Sequence, residues 1–400
     1  MRRETEATCD VAVVGGCGRA GMPLCVALAN AGLSVVGVDR DERAVDLAET
    51  GRFPFREERG DEQLKLARAS GRLRFTTRPD AVGMADAVVI VIGTPVGDGL
   101  EADPKILLAA LGVLLSYLCL GQLVVLRSAV CVGVTAAVEA ILDPLGIDVV
   151  TCPERTAEGR ALVELPVLPQ IVGARTSGAL ARASDLFGAV VGEIVAVSPE
   201  EAELAKLFTN TWRYVRFAAA NQFFMVANDL GIDFERVRIA MTHRYPRAAD
   251  IPPAGLASGP CLLKDTLQLA GSHPSEVVLA AASMAVNEGL PAYLVGRAEA
   301  RWPLAECTVG ILGMSFKAES DDVRSSLAQE LRRLLEVRAA RVLCTDPYVT
   351  VDPTLVPMEV VLAEADVLFI GAPHAVYRME DLAERDVVDV WNLLARGVLT

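Results

Sequence analysis

The segment Gly16-Cys17-Gly18-Arg19-Ala20-Gly21 has the GxGxxG pattern of a loop that binds a pyrophosphate. Its glycines let the chain turn tightly and approach the phosphates, and the helix that it opens offers backbone N–H groups with a partial positive charge. Asp39 ends the next apolar run, eighteen residues after Gly21. A carboxylate there accepts hydrogen bonds from ribose hydroxyls and repels a 2′-phosphate. The combination predicts NAD as the cofactor, and Arg40 and Arg43 leave NADP as the alternative.

Two pairs of polar residues are spaced four residues apart, Lys206 with Asn210 and Glu154 with Glu158. Residues at this spacing project from one face of a helix. A cation beside an amide stabilises an alkoxide or a tetrahedral oxyanion, and a buried lysine or glutamate can act as a base. The alternatives are a lysine whose ammonium reaches solvent and glutamates at a solvated helix start.

The elements that position these residues follow from hydrophobic periodicity. Apolar, charge-free runs predict strands at residues 11–15, 35–39, 87–92, 123–126, 148–151 and 194–197, and later at 308–312, 342–345, 367–370 and 387–390. Helical patterns lie between them, for example at residues 326–337. The alternation predicts right-handed βαβ units, and therefore an α/β protein with two Rossmann-like, doubly wound parallel sheets.

A long helical segment separates the two α/β regions. From Pro199 no turn residue occurs until Gly231, and Ser198 followed by Glu201 makes a capping box. This predicts one helix of about nine turns. Because apolar residues occur on several of its sides, we expect it to form the seam of a homodimer.

Six segments, in order, resemble the nucleotide-sugar 6-dehydrogenases, the UDP-glucose/GDP-mannose dehydrogenase family. They are GTP at 93–95, LRSAVCVGVT at 126–135, CPERTAEG at 152–159, KLFTN at 206–210, GPCLLKDT at 259–266 and LGMSFKAESDDVRSS at 312–326. The resemblance covers nearly the whole chain. It implies a Rossmann domain for NAD at residues 1–197 and a central helical dimerisation domain with the catalytic cysteine loop at 198–303. A Rossmann-like domain for the nucleotide sugar is implied at 304–400.

The family's chemistry implies oxidation of C6 of a nucleotide sugar, most simply a UDP-sugar, to the uronic acid with two NAD per turnover. Cys261 matches the nucleophile, which forms a thiohemiacetal and then a thioester. Lys206 and Asn210 match the groups that stabilise the oxyanions, Asp265 one that handles water or a proton, and Glu158 one that directs water at the thioester. The other eight cysteines are expected to be inert thiols.

The resemblance also implies the ligand contacts. The residues expected to contact NAD are Gly16, Cys17, Gly18, Gly21, Asp39, Thr94, Pro95, Ser128, Glu158 and Arg324. Those expected to contact the substrate are Glu154, Lys206, Asn210, Arg247, Gly259 and Lys317. Arg247, or Arg244 in another register, matches an arginine that reaches the sugar across the dimer. Asp321 and Asp322 could instead pair with Lys317 and Arg324.

Three positions depart from the family pattern. Ala129 stands where a threonine hydroxyl ordinarily holds the catalytic water, and Ala257 and Ser258 replace glycines in the cysteine loop. Ala129 raises an alternative enzyme that performs a single oxidation, or a redox-neutral epimerisation, on the same scaffold. A non-catalytic nucleotide-sugar-binding protein is the alternative outside enzymology, and the set of Cys261, Lys206 and Asn210 argues against it.

Composition limits the partners. A formal net charge of −14 argues against nucleic acid and anionic membranes. Nine cysteines without a CxxC pair or zinc-ligand spacing predict reduced thiols and no metal site. The start MRRETEATCD has no apolar signal segment, which favours the cytoplasm. Residues 107–126 lack charge, but Pro104 suits a helix start, Gly121 a helix end and LVVL a strand, so we expect no membrane span.

Overall fold

A computed structural model describes residues 9–93, 104–378, 382 and 384–396. The chain divides into two compact units, residues 1–208 and residues 209–400, which we call the first unit and the second unit. The division falls within a long helix, so this helix contributes residues to both units.

The first unit is built on a sheet for which the described residues supply eight strands, in the order β3-β2-β1-β4-β5-β6-β7-β8. The strands are β1 Cys9–Val14, β2 Val35–Val38, β3 Leu73–Thr76, β4 Ala85–Ile90, β5 Leu123–Leu126, β6 Asp148–Thr151, β7 Gln170–Ala174 and β8 Ile194–Val197. Neighbouring strands are parallel except β6 and β7, which are antiparallel. The doubly wound fold is confirmed, whereas β3, β7 and the antiparallel pair were not predicted.

Helices cover both faces of this sheet. They are α1 Gly21–Asn30, α2 Glu42–Glu49, α3 Gly60–Ala69, α4 Lys105–Leu114, α5 Val134–Leu142, α6 Ala161–Glu164 and α7 Ser177–Gly188. Val11 and Val13 of β1 pack in one core with residues of α1, α3 and α7, while Ala12 packs in another with residues of α4 and α5. This alternation follows from the two-residue period of a strand between two helical layers.

Residues 107–126 form a helix and a strand, as predicted, but the helix is shorter than predicted. It ends at Leu114 rather than near Gly121. Gly121 has a φ of +83° and donates its N–H to the carbonyl oxygen of Gly146, so it belongs to the turn before β5.

The long helix is α8, Pro199–Asp229. Its capping box is confirmed, because the Ser198 N–H donates to the Glu201 carboxylate at 2.7 Å and the Glu201 N–H donates to the Ser198 hydroxyl at 3.3 Å. The helices that follow are α9 Phe234–Thr242, α10 Leu262–Ser272 and α11 Val278–Glu299. In the described part of the chain α11 is the one helix long and apolar enough to cross a membrane, a property that core helices of soluble proteins share.

The second unit contains a smaller parallel sheet, for which the described residues supply four strands in the order β10-β9-β11-β12. Its elements are β9 Thr308–Leu312, α12 Leu327–Arg338, β10 Arg341–Thr345, α13 Met358–Glu364, β11 Val367–Ile370 and β12 Asp386–Val388. Two of these strands match the predicted bounds, and β10 and β12 lie within two residues of them. The second α/β region is therefore confirmed.

Candidate active site

The glycine-rich loop connects β1 to α1 in a conformation that needs its glycines. A Cβ on Gly16 would lie 2.6 Å from the Cα of Gly37, and one on Gly21 would lie 2.1 Å from the carbonyl oxygen of Gly15. Gly18 is the roomier position, with its nearest neighbour at 3.2 Å. No side chain caps the N-terminus of α1, so this helix start is suited to a pyrophosphate. The cradle that the missing Cβ atoms leave fits NAD.

Asp39 lies half-buried just after β2, beside this loop. Its Oδ2 accepts a hydrogen bond from the Cys17 N–H at 3.0 Å, and its Oδ1 accepts one from the Asp41 N–H at 3.2 Å. Burial and the charge of Asp39 raise the pKa of the Cys17 thiol to about 12. Arg40 and Arg43 are exposed. Asp39 therefore lies where a ribose-binding carboxylate is expected.

Ser128 joins the carboxyl ends of β4 and β5. Its hydroxyl donates to the Ile92 carbonyl oxygen at 2.7 Å and accepts a hydrogen bond from the Ile92 N–H at 2.9 Å. In open α/β sheets ligands bind at these strand ends. Thr94 and Pro95, expected to contact NAD, lie outside the described residues.

Glu154 holds a buried arginine that sequence reasoning missed. Arg127 is 1% exposed, and its Nε donates to Glu154 at 2.9 Å while its Nη1 donates to Gln170 at 2.9 Å. The other Glu154 oxygen accepts the N–H groups of Arg155 and Thr156, each at 2.7 Å. Burial opposes ionisation of Glu154, but Arg127, the Thr156 bonds and the charge of Lys206 together lower its pKa. The only sequence signal for Arg127 was a lone charge after LVVL.

Glu158 lies four residues further along, in an irregular segment rather than on the helix that this spacing suggested, and forms an ion pair with the glycine-rich loop. Its carboxylate is 2.9 Å from Nη1 of Arg19, and the two side chains are 16% and 24% exposed. The Arg19 guanidinium also lies over the Phe55 ring, 5.0 Å from its centroid. The Arg19 side chain thus joins the segment after β6 to the glycine-rich loop. Arg19 occupies a position at which the GxGxxG pattern allows any residue.

Cys261 differs from the other cysteines in its exposure. It is exposed and immediately precedes α10, whereas the other eight are buried or half-buried, and none of the nine is in a disulfide. A helix N-terminus stabilises a thiolate. Burial raises the pKa of six other thiols, those of Cys9, Cys17, Cys25, Cys152, Cys307 and Cys344. Among the nine, Cys261 is the one thiol that is exposed.

Asp265, one turn into α10, is fully buried and contacts two neighbours. Its Oδ2 accepts a hydrogen bond from the Asn210 amide at 2.5 Å, and its Oδ1 lies 3.1 Å from the Lys264 ammonium. The structure therefore brings two predicted site residues, Asn210 and Asp265, together. Lys206 lies one turn before Asn210 on α8 and is half-buried.

The loop before Cys261 packs on the segment that carries Lys317. Gly259 has a φ of +108°, and a Cβ there would lie 2.6 Å from the Phe316 ring. Its N–H donates to the Ser325 carbonyl oxygen at 3.1 Å. The two residues of this loop that depart from the family pattern, Ala257 and Ser258, are buried.

Three of the predicted basic ligand contacts, Arg324, Lys317 and Arg247, differ in their surroundings. The Arg324 side chain is 60% exposed and its Nε donates to Asp322 at 2.9 Å, which is the pairing that the sequence left open. Lys317 is half-buried, and its carbonyl oxygen accepts the Ser315 hydroxyl at 2.9 Å. Arg247 is exposed and lies over the Tyr245 ring, 4.8 Å from its centroid. Arg244 is exposed too.

A buried aspartate and histidine fix the start of the Lys317 segment. Asp346 Oδ2 accepts the Met314 N–H at 2.7 Å and lies 3.1 Å from His374 Nε2. His374 is fully buried, and its Nδ1 accepts the Glu319 N–H at 2.9 Å, which assigns the neutral Nε2–H tautomer. Burial opposes ionisation of Asp346, but His374 and the backbone N–H donors lower its pKa. No sequence pattern indicated this pair.

The glycine loop, Asp39 and the sheet topology define a dehydrogenase with a Rossmann-type NAD site. Models of three domains of the UDP-glucose/GDP-mannose dehydrogenase family match the chain: the NAD binding domain at residues 9–191, the central domain at 200–288 and the UDP binding domain at 310–396. The chain belongs to this family, and it is an NAD-dependent nucleotide-sugar dehydrogenase.

Individual proteins similar to this chain are also named as nucleotide-sugar dehydrogenases. The chain is 30% identical to an NDP-N-acetyl-D-galactosaminuronic acid dehydrogenase of Ralstonia nicotianae over 94% of both chains. It is 29% identical to the UDP-N-acetyl-D-mannosamine dehydrogenase of Yersinia pestis, over 94% of this chain and 98% of that one. A UDP-glucose dehydrogenase structure from Pyrobaculum islandicum matches with a TM-score of 0.89 and 29% identity, over 98% of this chain and 96% of that one.

Proposed function

We propose that the enzyme oxidises C6 of a UDP-sugar to the uronic acid through a thioester on Cys261. The observation that carries this proposal is the exposure of Cys261 at the start of α10, while burial raises the pKa of six of the other eight thiols. A thiolate is the reactive form of cysteine, and a helix N-terminus favours it.

The glycine loop and Asp39 would hold NAD, which when bound would supply the hydride acceptor for each of the two oxidations. The C6 alcohol first becomes an aldehyde, and the Cys261 thiol adds to its carbonyl carbon to give a thiohemiacetal. The second oxidation converts this adduct to a thioester. Water then adds, the C–S bond breaks, and the acid leaves with the thiol restored. Lys206 and Asn210 stabilise the oxyanions, and Glu158 accepts the proton of the attacking water.

A panel of nucleotide sugars tests the substrate. The relatives named above act on N-acetylated sugars or on UDP-glucose, so the panel holds UDP-N-acetylmannosamine, UDP-N-acetylgalactosamine, UDP-glucose and GDP-mannose. We expect a UDP-sugar to give two NADH per sugar. The mass of the product should exceed that of the substrate by the difference between a primary alcohol and a carboxylic acid. A preference for GDP-mannose would overturn the choice of nucleotide.

Cysteine replacement tests the mechanism. Cys261→Ser should abolish acid formation, because an alkoxide is a poor leaving group and the trapped ester hydrolyses slowly. Cys119→Ser, which alters a half-buried thiol outside the family motifs, is the matched control and should keep the parent rate. A Cys261→Ser enzyme that produces two NADH per sugar at the parent rate would exclude the thioester route.

Ala129 supports a second candidate, an enzyme that stops after one oxidation or epimerises the sugar without net oxidation. The methyl group of this residue cannot hold a water molecule as a threonine hydroxyl would. Stoichiometry separates the two functions. Two NADH per sugar support the four-electron dehydrogenase, one supports the single oxidation, and none, with an altered sugar, supports the epimerase.

We also propose that the enzyme is a cytoplasmic homodimer joined through α8. Four large apolar side chains of this helix are between 47% and 62% exposed: Phe208, Trp212, Phe223 and Val226. Their spacing of four, eleven and three residues repeats one helical face. Light scattering should give twice the mass of the chain, and Val226→Glu should give a monomer. A parent enzyme that stays monomeric at high concentration would contradict this assembly.

A further inference from the structure

Arg19 lies in the glycine-rich loop, but its side-chain contacts are not explained by the loop's expected role in binding a pyrophosphate. Residues between the glycines of such a loop have no side-chain task in binding a pyrophosphate, which the backbone N–H groups perform. Here Nη1 of Arg19 lies 2.9 Å from the Glu158 carboxylate, with both side chains largely removed from solvent. The pair joins the turn after β1 to the segment after β6.

Further contacts fix the same segment just after Glu158. The Glu58 N–H donates to the Gly159 carbonyl oxygen at 2.9 Å, and the Leu162 N–H donates to the Glu57 carboxylate at 2.9 Å. Phe55, from the same stretch as these two glutamates, packs edge-on against Phe53 and lies beneath the Arg19 guanidinium. Arg19 therefore contacts both the Phe55 ring and the Glu158 carboxylate.

We propose that Arg19 is a positioning residue for Glu158 in the hydrolytic step, an inference that rests on the proposed function. The planar guanidinium holds the carboxylate in one orientation and stabilises its negative charge, the form that can accept a proton. In that step the water proton passes to Glu158, the oxygen adds to the thioester carbon, and the C–S bond breaks to release the Cys261 thiolate. Loss of Arg19 then slows hydrolysis and leaves the two oxidations intact.

The chain offers a closely matched control. Arg68 pairs with Glu49 at 2.6 Å in the first unit, and its side chain is 25% exposed, against 24% for Arg19. Arg68→Ala therefore removes an ion pair of similar burial without touching the cofactor loop. Arg19→Ala tests the proposal, Arg19→Lys keeps the charge, and Glu158→Gln removes the base.

Each variant is mixed with NAD and substrate, and the NADH burst, the steady-state kcat, the KM values and the intact protein mass are measured. We expect Glu158→Gln to lower kcat by about 10²–10⁴-fold, the usual contribution of a general base. Arg19→Ala should lower it by up to about 10²-fold, as expected for a misplaced group. Both should keep the burst and accumulate a sugar adduct on Cys261. Arg19→Lys should restore part of kcat, and Arg68→Ala should match the parent.

Three results would overturn the inference while leaving the thioester route intact. They are an Arg19→Ala enzyme with parent kcat, one in which only the KM for NAD rises, and an equal loss of kcat in Arg68→Ala. If Arg19→Ala does not fold, Arg19→Lys and Arg19→Gln give the same comparison. A Glu158→Gln enzyme with parent kcat and no adduct would remove Glu158 as the base, and the role of Arg19 with it. Cys261→Ser still tests the route separately.

Discussion

The two sheets of the chain begin with the same backbone turn. Gly15 after β1 and Gly313 after β9 have φ values of +81° and +93°. Each donates its N–H, at 2.8 Å, to the carbonyl oxygen at the end of the neighbouring strand, Val38 in one sheet and Thr345 in the other. An aspartate comes next in both cases, Asp39 after β2 and Asp346 just after β10.

The use of that aspartate differs between the units. Asp39 is half-buried, and the contacts described above join it to backbone N–H groups beside the glycine loop. Asp346 is buried and is bonded to His374 as well as to backbone N–H groups. The helices differ in the same way, since α1 has no side-chain cap, whereas the Ser326 hydroxyl accepts the Ala328 N–H at the start of α12. One turn thus leaves its carboxylate half-buried and its helix start without a side-chain cap, whereas the other has a buried carboxylate and a capped helix start.

The largest expected effect is on stability. Asp346→Ala leaves buried donors of His374, Met314 and Ser315 without an acceptor, so it should lower the free energy of unfolding by about 3–5 kcal/mol. Asp39→Ala should lower it by less than about 1 kcal/mol, because its site is partly open to water. Urea unfolding followed by circular dichroism measures both. Equal losses would remove the contrast between the two aspartates.

The second prediction concerns cofactor choice. Asp39→Asn removes the charge that favours ribose hydroxyls, so kcat/KM for NAD should fall. The loss should correspond to about 1.5–3 kcal/mol of transition-state stabilisation, which is the usual contribution of one hydrogen bond to a charged group. Activity with NADP should rise relative to NAD, because the repulsion of the 2′-phosphate is lost. Asp41→Asn, on the neighbouring helix cap, is the control. A parent enzyme that uses NADP as well as NAD would show that Arg40 or Arg43 outweighs Asp39.

The third prediction is a dependence on pH that has opposite signs at two carboxylates of the second unit. The pKa of Asp346 is lowered, so its stabilisation is present above the ordinary carboxyl pKa and is lost as pH falls through the folded-state value. Burial raises the pKa of Asp389, so its contribution is present below the ordinary pKa and is lost as pH rises through the folded-state value. The free energy of unfolding, measured from about pH 3 to 6, should show effects on the order of 1 kcal/mol. As pH falls, the difference in the free energy of unfolding between the parent and Asp346→Asn should shrink. The parent should at the same time become more stable relative to Asp389→Asn.

The smallest effect concerns the helix caps. Ser326→Ala should lower the free energy of unfolding by about 1 kcal/mol, the usual cost of an N-cap. Thr176→Ala, at the cap of α7, should cost a similar amount and serves as the control. Neither change should alter the affinity for NAD. A weaker affinity in Ser326→Ala would show that the start of α12 also serves the cofactor.

Local patterns predicted most of the fold and the part of the site that depends on backbone. Apolar, charge-free runs located the principal strands, and spacing alone located the glycine loop and Asp39. The strands β3 and β7 were missed because LRFT alternates with a charge and QIVGA begins with a polar residue. The pairs Arg19–Glu158, Arg127–Glu154 and His374–Asp346 join residues far apart in the chain, so no local pattern reveals them.

Because Cys261 is exposed and the other eight thiols are buried or half-buried, one cysteine of the enzyme can be modified selectively. A thiol-selective reagent should modify one equivalent per chain rapidly and the remaining cysteines slowly, since burial keeps most of those in the unreactive protonated form. On the proposed mechanism, titration with such a reagent would count competent active sites in any preparation. On the same mechanism, oxidation of Cys261 would abolish activity before it affected the fold.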